Sequence, residues 1–467
     1  MKHSTSSPAI FVNNSSDDEC YSPRHPHNTQ HRHDGGNPRD AQQDREATWN
    51  DTPSITRTES TFCFSDLSCQ ESSDDSSSED EVAKVTPARY TKDAVQPHMG
   101  YKKVLVTGGA GFIGSHVADY LLDRGDDVVI IDEMNDYYDV RIKESNLHML
   151  LTKYGPDRVK IYRGDICDEQ FILDVFDAER PKWVCHMAAR AGVRPSIQDP
   201  FVYIHSNIRG STQLMEMSHK YGIENFVFAS SSSVYGGSNS VYFSEEECVD
   251  NPVSPYAASK KACELLAYTY NHLYKLNVSA LRFFTVYGPR GRPDMAPFKF
   301  IDRVSRGLEI QQFGDGSSSR DYTYIDDIVD GIVRAIDRPH KYEVFNLGKG
   351  SGTSLKEFLD LVQKYTRKEA LIKVMPDQPG DVPYTCADIR KAKEMLGYRA
   401  KVSFEEGIKK TVAWYRDEYA KSMDVCPETQ ANGLGRAASM VNIEDSRSAF
   451  VAAARWGVWC VLYIILW

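Results

Sequence analysis

Three glycines, Gly108, Gly111 and Gly114, lie between the apolar run Val104-Leu105-Val106 and an amphipathic stretch from about Phe112 to Asp123. This spacing limits the fold more than any other feature of the chain. A buried strand entering a helix through such a turn opens a βαβ unit. The missing side chains let the backbone approach a pyrophosphate at the helix N-terminus, with Phe112 and Ile113 as its first residues. Tight packing alone is the competing explanation for the glycines. Asp132 favours the dinucleotide reading, because it closes a second apolar strand, Val128-Val129-Ile130-Ile131, about twenty residues later. A carboxylate there suits bidentate hydrogen bonding to an adenosine ribose and favours NAD over NADP.

Further apolar runs at Val159-Tyr162, Trp183-His186, Phe226-Ala229 and Val278-Leu281 alternate with helical patterns. The predicted class is therefore α/β, a Rossmann-type doubly wound parallel sheet with a smaller C-terminal substrate-binding lobe. The expected organisation is a disordered polar and acidic tail over 1–98, an NAD-binding domain over 99–285, a mainly substrate-binding lobe over 286–420, and a tail over 421–467. Helices are predicted at about Ser354–Tyr365 and Phe404–Tyr419 in the lobe. Asp165 and Ile166 follow the third strand. There Asp165 either approaches the adenine edge or caps the next helix.

A formal net charge of −11 argues against general attraction to nucleic acid, so an anionic substrate needs local cations. The ten cysteines form no C-x-x-C or zinc-spaced pattern, so reduced thiols, a cytoplasmic location and no bound metal are expected. Cys185 and Cys263 read as buried thiols, and His25, His27, His31 and His33 as part of a solvated tail. The apolar end Trp456–Trp467 is shorter than the roughly 18 to 20 residues that span a bilayer. Membrane contact there stands beside a docked helix as an alternative.

The catalytic signal is Tyr256 and Lys260 in Ser254-Pro255-Tyr256-Ala257-Ala258-Ser259-Lys260. Four residues apart on a helix, phenol and ammonium share one face. A phenol is a poor base at neutral pH, and a nearby ammonium and the positive nicotinamide ring favour its anion.

With the motifs Gly108-Gly109-Ala110-Gly111-Phe112-Ile113-Gly114, His186-Met187-Ala188-Ala189, Ser230-Ser231-Ser232-Ser233-Val234-Tyr235-Gly236, Tyr256/Lys260 and Arg282-Phe283-Phe284-Thr285-Val286-Tyr287-Gly288-Pro289, the chain resembles the extended short-chain dehydrogenase/reductases. Within them it is most similar to UDP-glucuronate 4-epimerases. The resemblance implies a UDP-sugar substrate, bound NAD, Ser231 as the catalytic serine assisted by Ser232 and Ser233, and Ala188 packed against the cofactor. It also implies that Asn207 orders the active-site helix, that Thr285 and Arg292 meet the uronate carboxylate, and that Arg320 and Asp381 contact the diphosphate and uridine ribose. Relatives commonly dimerise through long helices, including the one bearing the tyrosine. Dehydratases and decarboxylases of this scaffold carry an acid just after the catalytic Ser/Thr, where this chain has Ser232 and Ser233, so epimerisation at C4 is expected. Arg290, where tryptophan is common, reads as a solvated charge. The alternatives are a UDP-glucose/UDP-galactose 4-epimerase and a non-catalytic NAD-sensing protein.

Overall fold

The computed structural model describes residues 100–376 and 384–423. The first half alternates strand and helix without a break: β1 (Lys103–Thr107), α1 (Phe112–Asp123), β2 (Asp127–Asp132), α2 (Val140–Tyr154), β3 (Val159–Arg163), α3 (Glu169–Glu179) and β4 (Trp183–His186). Two short helices, α4 (Val193–Gln198) and α5 (Pro200–Tyr203), run into a π-helical turn, Ile204–Arg209, which continues as α6 (Gly210–Lys220). Then come β5 (Asn225–Ser231), α7 (Pro255–Tyr274) and β6 (Val278–Phe283). All six strands expected from the apolar runs are present.

The second half carries β7 (Thr285–Tyr287), α8 (Ala296–Arg306), β8 (Ile310–Phe313), β9 (Ser319–Arg320), β10 (Tyr322–Tyr324), α9 (Ile325–Asp337) and β11 (Tyr342–Leu347). It continues through β12 (Thr353–Ser354), α10 (Leu355–Thr366), β13 (Ile372–Met375), α11 (Arg390–Met395) and α12 (Phe404–Trp414). The stretch expected as one helix to Tyr419 is α12 followed by a second π-helical turn, Tyr415–Tyr419.

One parallel sheet has the order β3-β2-β1-β4-β5-β6-β11. Alternate residues feed two cores. Val104, Val106, Ile130, Cys185, Val227 and Leu281 face one way with α1 and α9, while Leu105, Val129, Val184, Phe226, Phe228 and Ala280 face the other with α3, α6 and α7. Burial on both faces explains why these strands are continuous apolar runs. β11 corrects the boundary drawn at 285/286, because Tyr342–Leu347 pairs in parallel register with Val278–Phe283 and belongs to the sheet. Its sequence, Tyr-Glu-Val-Phe-Asn-Leu, mixes polar and apolar residues because it is an edge strand with a half-buried start.

The chain order reverses beside β1, so a crevice opens at the C-terminal ends of β1 and β4. A buried ion pair fixes α7 against the sheet beside it. Arg282 of β6 donates from Nε and Nη2 to Glu264 Oε1 and Oε2 at 2.9 and 2.8 Å, and Ser230 Oγ donates to Glu264 at 2.6 Å. Among the described residues, no helix is long and apolar enough to cross a membrane. Asp381, the segments 1–98 and 424–467, and with them Trp456–Trp467, lie outside the described residues.

Candidate active site

A cavity of about 410 Å³ occupies the crevice. Its floor is the turn after β1. Gly108 has φ +66°, and a Cβ there would stand 2.7 Å from the Ala188 amide nitrogen after β4. At Gly114 a Cβ would run into the Gly108 carbonyl. Gly114 therefore answers to packing as well, and Gly108, Gly111, Phe112, Ile113 and Gly114 all line the cavity at the start of α1. Thr107 Oγ1 accepts the Ala188 N–H at 3.2 Å and bonds His186 Nδ1 at 2.7 Å, while His186 Nε2 meets Ser211 Oγ at 2.9 Å. Burial, helped by the Lys260 charge, depresses the His186 pKa to about 3, so the ring is neutral.

Asp132 is 7 % exposed and its carboxylate is held from two sides. Oδ2 accepts the Ala110 N–H at 3.1 Å, Oδ1 accepts the Met134 N–H at 3.0 Å, and Lys143 Nζ lies 3.8 Å from Oδ1. Asp165 and Ile166 also line the cavity. Asp165 does not cap the next helix, for Asp168 accepts the Phe171 N–H at the start of α3. Asp165 instead accepts the Cys167 N–H at 2.8 Å and pairs with His205 Nε2 at 2.8 Å. A turn with no room for a Cβ at Gly108, helix amides behind it and a pre-aimed carboxylate at the next strand end fit a dinucleotide.

Opposite this floor stands α7. Tyr256 and Lys260 line the cavity with Ser231, Ser232 and Ser233. Lys260 is buried and donates to the Ala229 carbonyl at 2.7 Å. Ser231 Oγ faces the cavity and also accepts the Ser233 N–H at 3.1 Å, so it serves a local turn as well. Asn207, in the π-helical turn, accepts the Arg190 N–H at 2.8 Å and donates to Arg190 O at 3.0 Å and Ser259 Oγ at 2.9 Å. It thereby ties α7 to the loop after β4.

Thr285 and Arg292 complete the wall. Arg292 Nε and Nη2 grip Asp294 at 2.9 and 2.5 Å, and its guanidinium stands 5.4 Å over the Tyr137 ring. Tyr137 and Tyr203 both donate to Ala191 O, at 2.9 and 3.1 Å, and Tyr203 packs edge-on against Tyr256 with ring centroids 6.1 Å apart. Sequence reasoning missed Tyr137, Tyr203 and Arg190, which carry no motif and converge only through the fold, and Asp294, which stands two residues after Arg292.

One expectation changes. Arg290 is not a solvated charge: its side chain is 17 % exposed, and it reaches Asp119 and His116 on α1. Arg320 is on β9 and is not among the residues that wall the cavity.

A model of the GDP-mannose 4,6 dehydratase family matches residues 105–411. The UDP-glucuronate 4-epimerase of Thermodesulfobacterium geofontis is 44% identical over 330 residues, covering 70% of this chain and 100% of that protein. The Bacillus cereus UDP-glucuronic acid 4-epimerase, solved with UDP-glucuronic acid and NAD, aligns with TM-score 0.62 at 34% identity over 67% of this chain and 99% of its own. The Thermotoga maritima UDP-glucose 4-epimerase, solved with UDP-glucose, gives 0.62 at 36% identity over 69% and 100%. Matches of this extent, on a sheet of this order, establish that the chain belongs to the GDP-mannose 4,6 dehydratase family of NAD-dependent epimerases and dehydratases.

Proposed function

We propose that the protein is a UDP-glucuronate 4-epimerase, inverting C4 to give UDP-galacturonate through a transient 4-keto sugar. The observation that carries the substrate is Arg292 with Thr285 in the cavity wall, since a guanidinium fork suits a carboxylate and a neutral hydroxymethyl group needs none. This favours a uronate over UDP-glucose, the ligand of the Thermotoga maritima structure.

Gly108, Gly111, Phe112, Ile113, Gly114, Asp132, Asp165, Ile166 and Ala188, with Tyr256 and Lys260, are the residues that hold NAD in this reading. NAD supplies an acceptor, and then a donor, for the C4 hydride. Tyr256 takes the proton of the sugar's 4-hydroxyl and returns it to the opposite configuration. Ser231 hydrogen-bonds the same oxygen, Lys260 orients the nicotinamide ribose, and Ser232 and Ser233 provide no acid for elimination. Oxidation at C4 makes a β-keto acid, which loses carbon dioxide readily. Restraint of the carboxylate by Thr285 and Arg292 keeps the reaction an epimerisation. Arg320, and Asp381 beyond the described residues, are proposed for the diphosphate and uridine ribose.

The segment 286–420, apart from α9 and β11, forms the substrate-facing lobe. A homodimer through α7 is proposed from its exposed Leu265, Tyr268 and Leu273. A cytoplasmic location is proposed because Cys167, Cys185, Cys248, Cys263 and Cys386 are free thiols. Contact of Trp456–Trp467 with a membrane has no support among the described residues.

The test is to purify the protein, measure copurifying NAD by mass spectrometry, and follow interconversion of UDP-glucuronate and UDP-galacturonate without added reductant. Dominant turnover of UDP-glucose would overturn the substrate. Tyr256→Phe should lower kcat by roughly 10²- to 10⁴-fold with NAD retained. Unchanged turnover would remove Tyr256 from the mechanism, and bound NAD with no turnover by the wild type would favour a protein that only senses NAD.

A further inference from the structure

Arg290 is a cation beside the site that the proposed reaction leaves unused. It lies in the loop between β7 and α8, two residues before Arg292, and its guanidinium points away from the sugar toward α1. Nη2 is 3.3 Å from Asp119 Oδ2, and Nε donates to His116 Nε2 at 3.3 Å. His116 Nδ1 in turn bonds the Phe112 carbonyl at 2.9 Å, at the first residue of the cofactor helix. The anchor is rigid, because Asp119 also accepts from Tyr154 at 2.7 Å and Lys153 at 3.0 Å near the end of α2.

This arrangement has costs. Arg290 has φ +60°, a left-handed conformation that side chains other than glycine's rarely adopt. Its Nη1 is buried with no hydrogen-bond partner among the described residues. Strain of this kind persists where surrounding contacts over-determine it, and it clusters at functional sites. The loop itself is closed locally by Gly291 N–H to Gly288 O at 3.2 Å and Met295 N–H to Arg292 O at 3.2 Å. Within it Arg292 is aimed by Asp294 and Tyr137.

We infer that Arg290 is a positioning residue, clamping the loop that carries Arg292 to the cofactor helix at Asp119 and His116, so that carboxylate recognition depends on a contact outside the substrate cavity. The inference rests on the reading of Arg292 as the carboxylate's partner. Arg290 touches neither substrate nor cofactor in this scheme. It sets where the Arg292 fork stands.

The experiment uses NAD-loaded full-length enzyme. Arg290→Gly removes the guanidinium and suits the left-handed backbone, so it separates the clamp from the strain. The expected result is a rise of tenfold or more in KM for UDP-glucuronate, with kcat within about threefold, and with NAD content and inhibition by UDP, which has no carboxylate, unchanged. Asp119→Asn, cut from the helix side, should reproduce the KM effect, and the double variant should be no worse than Arg290→Gly alone. Arg290→Lys should recover part of the loss. An unchanged KM in folded Arg290→Gly would overturn the inference, as would a KM and a UDP inhibition constant that rise together. If Arg290→Gly does not fold, Asp119→Asn decides by the same comparison. Wild-type enzyme inactive on UDP-glucuronate overturns the underlying substrate reading, and is recognised before any variant is compared.

Discussion

Gly108 and Arg290 both adopt positive φ, for opposite reasons. At Gly108 the conformation clears space, since any Cβ would press on the Ala188 amide at 2.7 Å where the dinucleotide must approach. Gly108→Ala should therefore purify depleted of NAD and lose about 1–2 kcal/mol of stability from the strained backbone alone. Mass spectrometry of the bound nucleotide and a urea titration would check both effects. Arg290 occupies its conformation to hold a contact. The glycine spacing was legible because its geometry is local, all within one turn and one helix. Arg290 was not, because its partners His116 and Asp119 precede it by 174 and 171 residues. Sequence separation likewise hides Tyr137 under Arg292, whereas Asp294 stands only two residues on, and Arg292 itself lines the cavity.

The decisive element is α7, which carries Tyr256, Lys260 and Glu264 at successive four-residue steps on one face. Lys260 is drawn to the end of β5 by Ala229, and Glu264 to β6 by Arg282, with side chains 3 % and 2 % exposed in that ion pair. Removing one member of such a pair leaves the other charge buried and uncompensated. Glu264→Ala should cost about 3–5 kcal/mol, read as a lowered urea midpoint, and the fall in activity should follow unfolding rather than NAD loss. A loss under 1 kcal/mol would mean that Arg282 finds another partner. The helix was readable from its Tyr-x-x-x-Lys spacing, and the first six strands from their apolar runs. β11 was not, because an edge strand has one neighbour and a half-buried start, so polar residues are tolerated in it. The π-helical turn bearing Asn207 was not either, since the three bonds Asn207 makes go to Arg190 and Ser259, 17 and 52 residues away.

For the whole molecule, the buried His186 links stability to acid. Its folded pKa, about 3, lies below the ordinary 6.5, so the folded chain binds fewer protons than the unfolded chain between those values. Stability from this residue is complete above pH 6.5 and falls as the pH drops toward 3. By pH 5 the loss from this ring should be about 2 kcal/mol. Because buried His116 and Glu245 shift in the same range, it is read as a larger fall in urea midpoint from pH 7 to pH 5 in wild type than in His186→Asn, and equal falls would contradict the neutral buried ring. The return of β11 to the sheet has a further consequence for a chain emerging from the ribosome. Until residues 342–347 are made, the outer edge of β6 has no neighbour, and Asn225 at the foot of β5 lacks the Ala335 and Ile336 carbonyls it later bonds. The nucleotide half thus cannot finish folding before most of the substrate half has been synthesised. The two halves are therefore expected to unfold together, in a single transition in a urea titration.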